Sequence, residues 1–259
     1  QLTSDMVWLV EKEVTLPDGT VTKALVPQVY VRLDEGALTA NGSIISGQNV
    51  QLNLDNDFTN SGKMLAQDTL AITAQNINNL DGVITGNDAV LYAKQDLNNI
   101  GGSMQGGENL TVLAGNNITV GSVTKTWGDE QNGGTLILSQ GELNVTKPGG
   151  TMTVAAGNNI NLNAAIINNL GEGSETLIAA GNDIKMNTVT ESRHVNNIRN
   201  DKNFFKYASS EAIGTDIHTS GDLTLTAGND FNAKAADVAS NSGALVVAAG
   251  NDINITDGR

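Results

Sequence analysis

Any chemistry in this 259-residue chain would have to come mainly from carboxylates, because other reactive side chains are scarce. It holds 28 Asp and Glu residues, two histidines and no cysteine. A glycosidase needs two carboxylates about 5 to 10 Å apart in a sugar-binding cleft. Asp55 with Asp57, and Asp216 with Asp222, are the pairs whose spacing offers this. Most acids, however, sit among Gly and Asn at turn-like positions, where an aspartate serves as an Asx hydrogen-bond acceptor. His194 and His218 lie 24 residues apart, and a metal site built on them would lack defined further ligands. Calcium β-rolls carry G-G-x-G-x-D nonapeptides, which do not occur here. Gly171-x-Gly173 lacks the βαβ surroundings of a nucleotide loop, and sequons such as Asn41-Gly42-Ser43 and Asn117-Ile118-Thr119 are what an Asn- and Thr-rich chain produces by chance. No enzyme activity, cofactor or metal is therefore expected.

The bulk properties narrow the field further. A net charge of -14 opposes nucleic-acid binding, which needs a basic face, and no nucleotide partner is expected. No run of about 18 apolar residues exists to span a bilayer as a helix. Gln1 to Val10 lack the basic start of a signal peptide, so none is expected within the chain. Only 3% of residues are aromatic although 39% are hydrophobic, so the core must consist of Leu, Ile, Val and Ala. Gly (29) and Asn (33) are abundant, and both tolerate the left-handed backbone of tight turns.

The segments that would hold these residues repeat along the chain. Ala114-Gly115-Asn116-Asn117-Ile118 recurs as Ala156 to Ile160, Ala180 to Ile184, Ala227 to Phe231 and Ala249 to Ile253, with looser copies ending at Phe58, Ile77 and Leu97. The closing apolar residues fall at 58, 77, 97, 118, 160, 184, 231 and 253. A period of about 20 to 22 residues follows, if the gaps of 42 and 47 are each taken as two periods. Each period also carries an Asn-Asn-type segment (Phe58-Thr59-Asn60-Ser61-Gly62, Ile77-Asn78-Asn79-Leu80-Asp81-Gly82, Leu97-Asn98-Asn99-Ile100-Gly101-Gly102) and about three short alternating strands. So short a unit cannot bury an apolar face alone. Stacking coil on coil at about 4.8 Å solves this, giving an all-β, three-sided parallel β-solenoid. About eleven coils and a monomeric rod roughly 50 Å long are expected. The equivalent slots Asn56, Gln75, Gln95, Asn116, Asn158, Asn182, Asn229 and Asn251 are expected to stack as an amide ladder, each side chain bonding its neighbour. A leucine-rich horseshoe shares the period, but its L-x-x-L-x-L signature is missing.

The Ala-Gly-Asn-(Asn/Asp)-Ile and Asn-Asn-(Leu/Ile)-x-Gly strings, with Gly221-Asp222-Leu223-Thr224-Leu225-Thr226-Ala227-Gly228-Asn229-Asp230, resemble the haemagglutinin repeats of two-partner-secretion exoproteins. That group includes the filamentous haemagglutinins and the contact-dependent growth-inhibition exoproteins. The likeness covers roughly residues 37 to 259, and the interrupted coils are most similar to the second haemagglutinin-repeat region of the growth-inhibition members. The resemblance implies a right-handed parallel β-helix and export through an outer-membrane two-partner-secretion transporter. It also implies residence at the bacterial cell surface, or in the periplasm while export is paused. The expected role is a rigid rod assisting delivery of a distant C-terminal toxin through a target cell's outer membrane. The alternative is an adhesin module that binds a host or bacterial surface or receptor.

Three stretches break the period. Residues 1–36, with alternating runs Met6 to Val14 and Val21 to Leu33 around Pro17-Asp18-Gly19-Thr20, are expected to form a β-hairpin or edge element ahead of the 37–259 repeat domain. Residues 121–150 form one insertion, with Trp127 as a loop anchor and Thr135 to Val145 as an irregular coil. Residues 185–217 form the other, rich in basic and aromatic side chains: Arg193, Arg199, Lys202, Phe204, Phe205, Lys206 and Tyr207. Two readings stand for it. Either it protrudes and contacts a partner, or its aromatics fold back on the solenoid wall.

Overall fold

The structure, a computed structural model, describes residues 6–15, 21–30, 42–200 and 202–258. Every regular element among them is a strand. Residues 1–42 and 43–259 are two compact units. In the first, Met6–Thr15 pairs antiparallel with Val21–Tyr30, Met6 opposite Tyr30 and Thr15 opposite Val21. The turn residues 16–20 lie outside the described residues, as do 31–41. Pro27, which cannot donate to a ladder, is accommodated because each strand of a two-stranded sheet has a free edge.

The second unit is a parallel β-solenoid in which three columns run coil on coil. The first column starts at Ile44–Gly47 and Lys63–Ala66 and ends at Asp237–Ser240. The second starts at Val50–Asn53 and ends at Leu245–Ala249, and the third runs from Phe58–Asn60 to Ile253–Thr256. Eight coils supply a strand to all three columns. Alternation dictates what points inward: Leu70, Ile72 and Ala74, then Ala89, Leu91 and Ala93, then Leu110, Val112 and Ala114 are all buried. The closing residues Ile77, Leu97, Ile118, Ile160, Ile184 and Phe231 stack as one buried apolar column. This is why the core needs almost no aromatics. Short aliphatic chains fill most of the layers, spaced about 4.8 Å apart, and Phe231 takes one position in the same column.

The gaps of 42 and 47 residues are not two periods each. Ile118 pairs with Ile160 and Ile184 with Phe231, so each gap is a single coil step with an insertion. The count falls from the expected eleven coils to these eight, and the stack to roughly 35 to 40 Å. The insertions consume the missing chain. Both leave at one corner, between a third-column strand and the next first-column strand. Where no insertion intervenes, that corner takes only two residues, and one often adopts a left-handed backbone: Asp81 (φ 54), Gly101 (φ 66), Ala164 (φ 50) and Ala235 (φ 48).

The inserted segments do not form separate loops. Val123–Gly128 and Asn132–Ser139 make an antiparallel pair, as do Val189–Asn200 and Asn203–Ile213. The two pairs join through Asn132–Thr135 against Ser192–Val195 to give one four-stranded side sheet. Two expectations are thereby corrected. Trp127 is in a strand of this sheet rather than a loop anchor, and Thr135 to Val145 is not one coil. Its first part, through Ser139, belongs to the side sheet, while Glu142–Val145 is a first-column strand paired with Ser103–Gly106.

Candidate functional site

The side sheet is the candidate interaction site, and its pairing register decides which side chains meet. Phe205 lies opposite Asn197 and Tyr207 opposite Val195, while Phe204 lies opposite Ile198 and Lys206 opposite Asn196. Neighbours along a strand point to opposite faces, so Phe205 and Tyr207 share one face and Phe204 and Lys206 the other. Trp127 opposes Gly134, which in turn opposes Arg193, and that row lies on the Phe205 and Tyr207 face. The aromatics do not fold back on the solenoid wall, because Phe204 is 59%, Phe205 60% and Tyr207 49% exposed. Arg193, Lys202 and Lys206 are exposed as well. The backbone of Arg199 belongs to the sheet, and its side chain lies outside the described residues.

The sheet is stiffened across the join between the two insertions. Glu191 Oε1 accepts from the Ile137 N–H at 2.7 Å and Ser192 Oγ from the Thr135 N–H at 3.2 Å. The Asn196 N–H donates to the Gln131 carbonyl, and His194 Nε2 contacts the Asp129 carbonyl at 2.8 Å. Backbone N–H groups of Asn132 and Gln131, in that order of effect, hold the Asp129 carboxyl below its usual range by bonding its charged form. Gly133 and Gly134 are needed where the insertions meet. A Cβ on Gly134 would come closer than 3.0 Å to the Ser192 carbonyl, and one on Gly133 would crowd the Trp127 carbonyl and the His194 ring.

The eight ladder slots stack one per coil, and from Gln75 onward each backbone N–H donates to the carbonyl of the slot before at 2.8 to 3.0 Å. Their side chains bond differently from the expected same-slot pattern. Only Asn158 reaches its own slot, Asn116 Oδ1 at 3.4 Å, and it lies nearer to Asn117 Oδ1 at 3.1 Å. The other amides run diagonally, to the following slot of the preceding coil. Asn116 donates to Asp96 (2.8 Å), Asn182 to Asn159 (2.9 Å), Asn229 to Asp183 (2.9 Å) and Asn251 to Asp230 (2.9 Å). The same oxygens also accept a backbone N–H, from Asn117, Asp183, Asp230 and Asp252 respectively. The second slot therefore requires an acceptor, which Asn and Asp both supply, and this explains their interchange there. The side chains of Asn56, Gln75 and Gln95 make no hydrogen bond to the described residues.

Asp183 is the most heavily engaged acceptor. The Lys185 ammonium at 2.8 Å, then the Asn229 amide, then the Asp230 N–H hold its carboxyl below the usual carboxylate range against the opposing effect of burial. The folded pKa is thus below the unfolded one, so the stabilisation is fully present above the ordinary carboxylate value and lost as pH falls through the folded value. Asp183→Ala is expected to cost about 1 to 3 kcal/mol by orphaning two donors of the next coil, and Asp183→Asn about 1 kcal/mol or less. Urea denaturation at pH 7 and at a series of values down to pH 2 checks this. The acid limb should flatten in Asp183→Asn, and an unchanged limb refutes the assignment.

A second ladder escaped the sequence analysis. Asn60, Asn79 and Asn99 are buried among the apolar columns. Asn60 Nδ2 donates to Asn79 Oδ1 at 2.7 Å, and Asn79 Nδ2 to Asn99 Oδ1 at 2.8 Å and to the Gly82 carbonyl at 2.9 Å. Asn99 passes the chain on to the Glu142 carbonyl at 2.9 Å. The signal was present, because period-two alternation puts Asn79 on the same face as buried Ile77.

Of the four carboxylates weighed for glycoside cleavage, Asp57 and Asp222 accept hydrogen bonds from the next coil. Asp57 Oδ1 accepts from Asn76 at 2.8 Å, and Asp222 Oδ1 accepts the Ala244 N–H at 2.8 Å. Asp216 is instead in register with Asp237 on the first column, near His218, while His194 is in the side sheet. The two histidines are not brought together. Comparison with protein-family models, curated proteins and solved structures finds no match for the chain.

Proposed function

We propose that this chain is a rod-forming segment of a large secreted bacterial surface filament of the filamentous-haemagglutinin, two-partner-secretion type. It serves presentation or delivery of something carried elsewhere in the polypeptide. Export runs through an outer-membrane transporter, and in the growth-inhibition version of the reading the cargo is a distant C-terminal toxin destined for a neighbouring bacterium. The observation that carries the rod is the unbroken in-register stacking of eight coils, which makes each coil an equivalent spacer. The motif likeness supplies the export system and the surface location. Coil-by-coil folding from one end has low contact order, so stacking outside a pore could draw the chain outward without ATP.

Deleting one whole coil, residues 83–102, tests the spacer. Gly82 would then lead into Ser103, whose partner is Val83, so the corner is regenerated. In the full-length exoprotein, surface display and delivery are expected to stay within about twofold, because a stack with only nearest-neighbour interfaces tolerates the loss of a unit. Loss of delivery with normal display and folding overturns the passive-rod reading. A second reading, an adhesin module, is favoured by the exposed aromatics of the 185–217 excursion. Phe205→Ser with Tyr207→Ser should then reduce cell binding tenfold or more and leave the unfolding transition unmoved. Unchanged binding removes the adhesin reading.

A further inference from the structure

We infer that Asp216, His218 and Asp237 form a surface site for a divalent first-row transition-metal ion, bridging the last two coils of the first column. One ligand atom from each lies within 4.8 Å of the others. The strand register makes this convergence systematic. Asp216 and Asp237 are directly paired in neighbouring parallel strands, and His218 is two residues beyond Asp216, on the same outward face. His218 Nε2 is 3.5 Å from Asp237 Oδ2. Two carboxylates directly opposite each other repel, and a cation held between them removes that cost. The residue opposite His218 on the next coil is Ala239, so no large side chain from that strand competes for the space above the ring.

The donor set indicates which ion. One imidazole nitrogen with two carboxylate oxygens suits zinc or nickel, whereas calcium and magnesium prefer oxygen alone. Metal–ligand distances of about 2.0 to 2.2 Å place neighbouring ligand atoms about 3 Å apart. The exposed aspartates reach that by side-chain rotation, and water completes the coordination. The carboxylates of this site differ from Asp96, Asp183 and Asp230, whose oxygens accept N–H groups from the next coil. Because the ligands come from two coils, the ion would also tie Asp237–Ser240 to Asp216–Thr219.

Titration calorimetry with zinc chloride on the chelator-treated chain, near pH 7.5, is the experiment. One zinc per chain is expected, weakened at least tenfold in His218→Ala and in Asp237→Asn and unchanged in His194→Ala. Hydrogen exchange should slow in Asp237–Ser240 when zinc is present, and only with His218 intact. Both substituted positions are solvent-facing, and far-ultraviolet circular dichroism confirms that the variants stay folded. Equal zinc binding by His218→Ala and the parent overturns the site. So does an equal response to calcium, which would assign the signal to the general acidic surface.

Discussion

Gly181→Ala is expected to lower stability by about 3 kcal/mol or more, a large effect for one methyl group. A Cβ at Gly181 would lie closer than 3.0 Å to the carbonyl oxygen of Gly157, directly beneath it in the preceding coil. The same approach recurs at Gly157 over Gly115, Gly228 over Gly181 and Gly250 over Gly228. The obstacle is backbone, and that backbone is fixed by the ladder itself, in which the Gly181 N–H donates to the Ala156 carbonyl at 2.9 Å. Making room means changing the backbone at this corner, whereas at the equivalent Lys94 a side chain is already accommodated with the N–H bonded to the Ala74 carbonyl at 2.9 Å. Gly173→Ala provides the contrast. Gly173 has φ +70 with nothing within 4 Å of the added atom, so only backbone strain is incurred, about 1 kcal/mol. Urea midpoints of the two variants decide the matter. If Gly181→Ala costs no more than Gly173→Ala, the steric account of the glycine column is wrong.

Asn79→Ala should be nearly as damaging, at about 3 to 5 kcal/mol. Asn79 is fully buried and occupies the middle of a chain of amides. Its removal leaves the Asn60 amide, the Asn99 Oδ1 and the Gly82 carbonyl short of a partner in an apolar interior. An orphaned buried polar group costs roughly 1 to 3 kcal/mol, and members of a connected network are coupled. The neighbouring Asn78→Ala is the control. Asn78 accepts one bond, from Asn98 at 3.0 Å, on the half-buried outer face, and about 1 kcal/mol or less is expected. Thermal or urea unfolding of the two variants should separate them by at least about 2 kcal/mol. Equal costs would mean that the inner amides are no more than outward-facing spacers.

The adhesin reading and the zinc site occupy different parts of the chain, so their tests are independent. Phe205 and Tyr207 are in the side sheet, whereas Asp216, His218 and Asp237 are in solenoid coils. Loss of zinc binding in His218→Ala should leave cell adhesion as it was.

What the sequence determined by itself is the repeat and therefore the solenoid. The closing residues Ile118, Ile160 and Ile184 could be placed as an inward column because identical local strings must fold alike, and a 20-residue unit can bury them only against its copies. The alternation around Leu110-Thr111-Val112 told inside from outside for the same local reason, and the alternating runs around Pro17 to Thr20 announced the antiparallel pairing of Met6–Thr15 with Val21–Tyr30. What only the tertiary structure decided is everything that depends on which chain segment lies one coil away. The 42- and 47-residue gaps became single steps once Ile118 was seen to pair with Ile160 and Ile184 with Phe231. Two insertions whose paired residues, such as Thr135 and Ser192, are 57 apart in sequence became one sheet because they leave from the same corner. The glycine of the Ala-Gly-Asn string answers to a carbonyl in the preceding coil, whereas left-handed backbone falls at other positions such as Asp81, Ala164 and Ala235. Asn229 bonds Asp183 rather than Asn182, because the carboxylate across the coil step is a charged acceptor and its equivalent in the alignment is not. Spacing along a chain fixes a period, but the diagonal contacts between periods are a property of three-dimensional register.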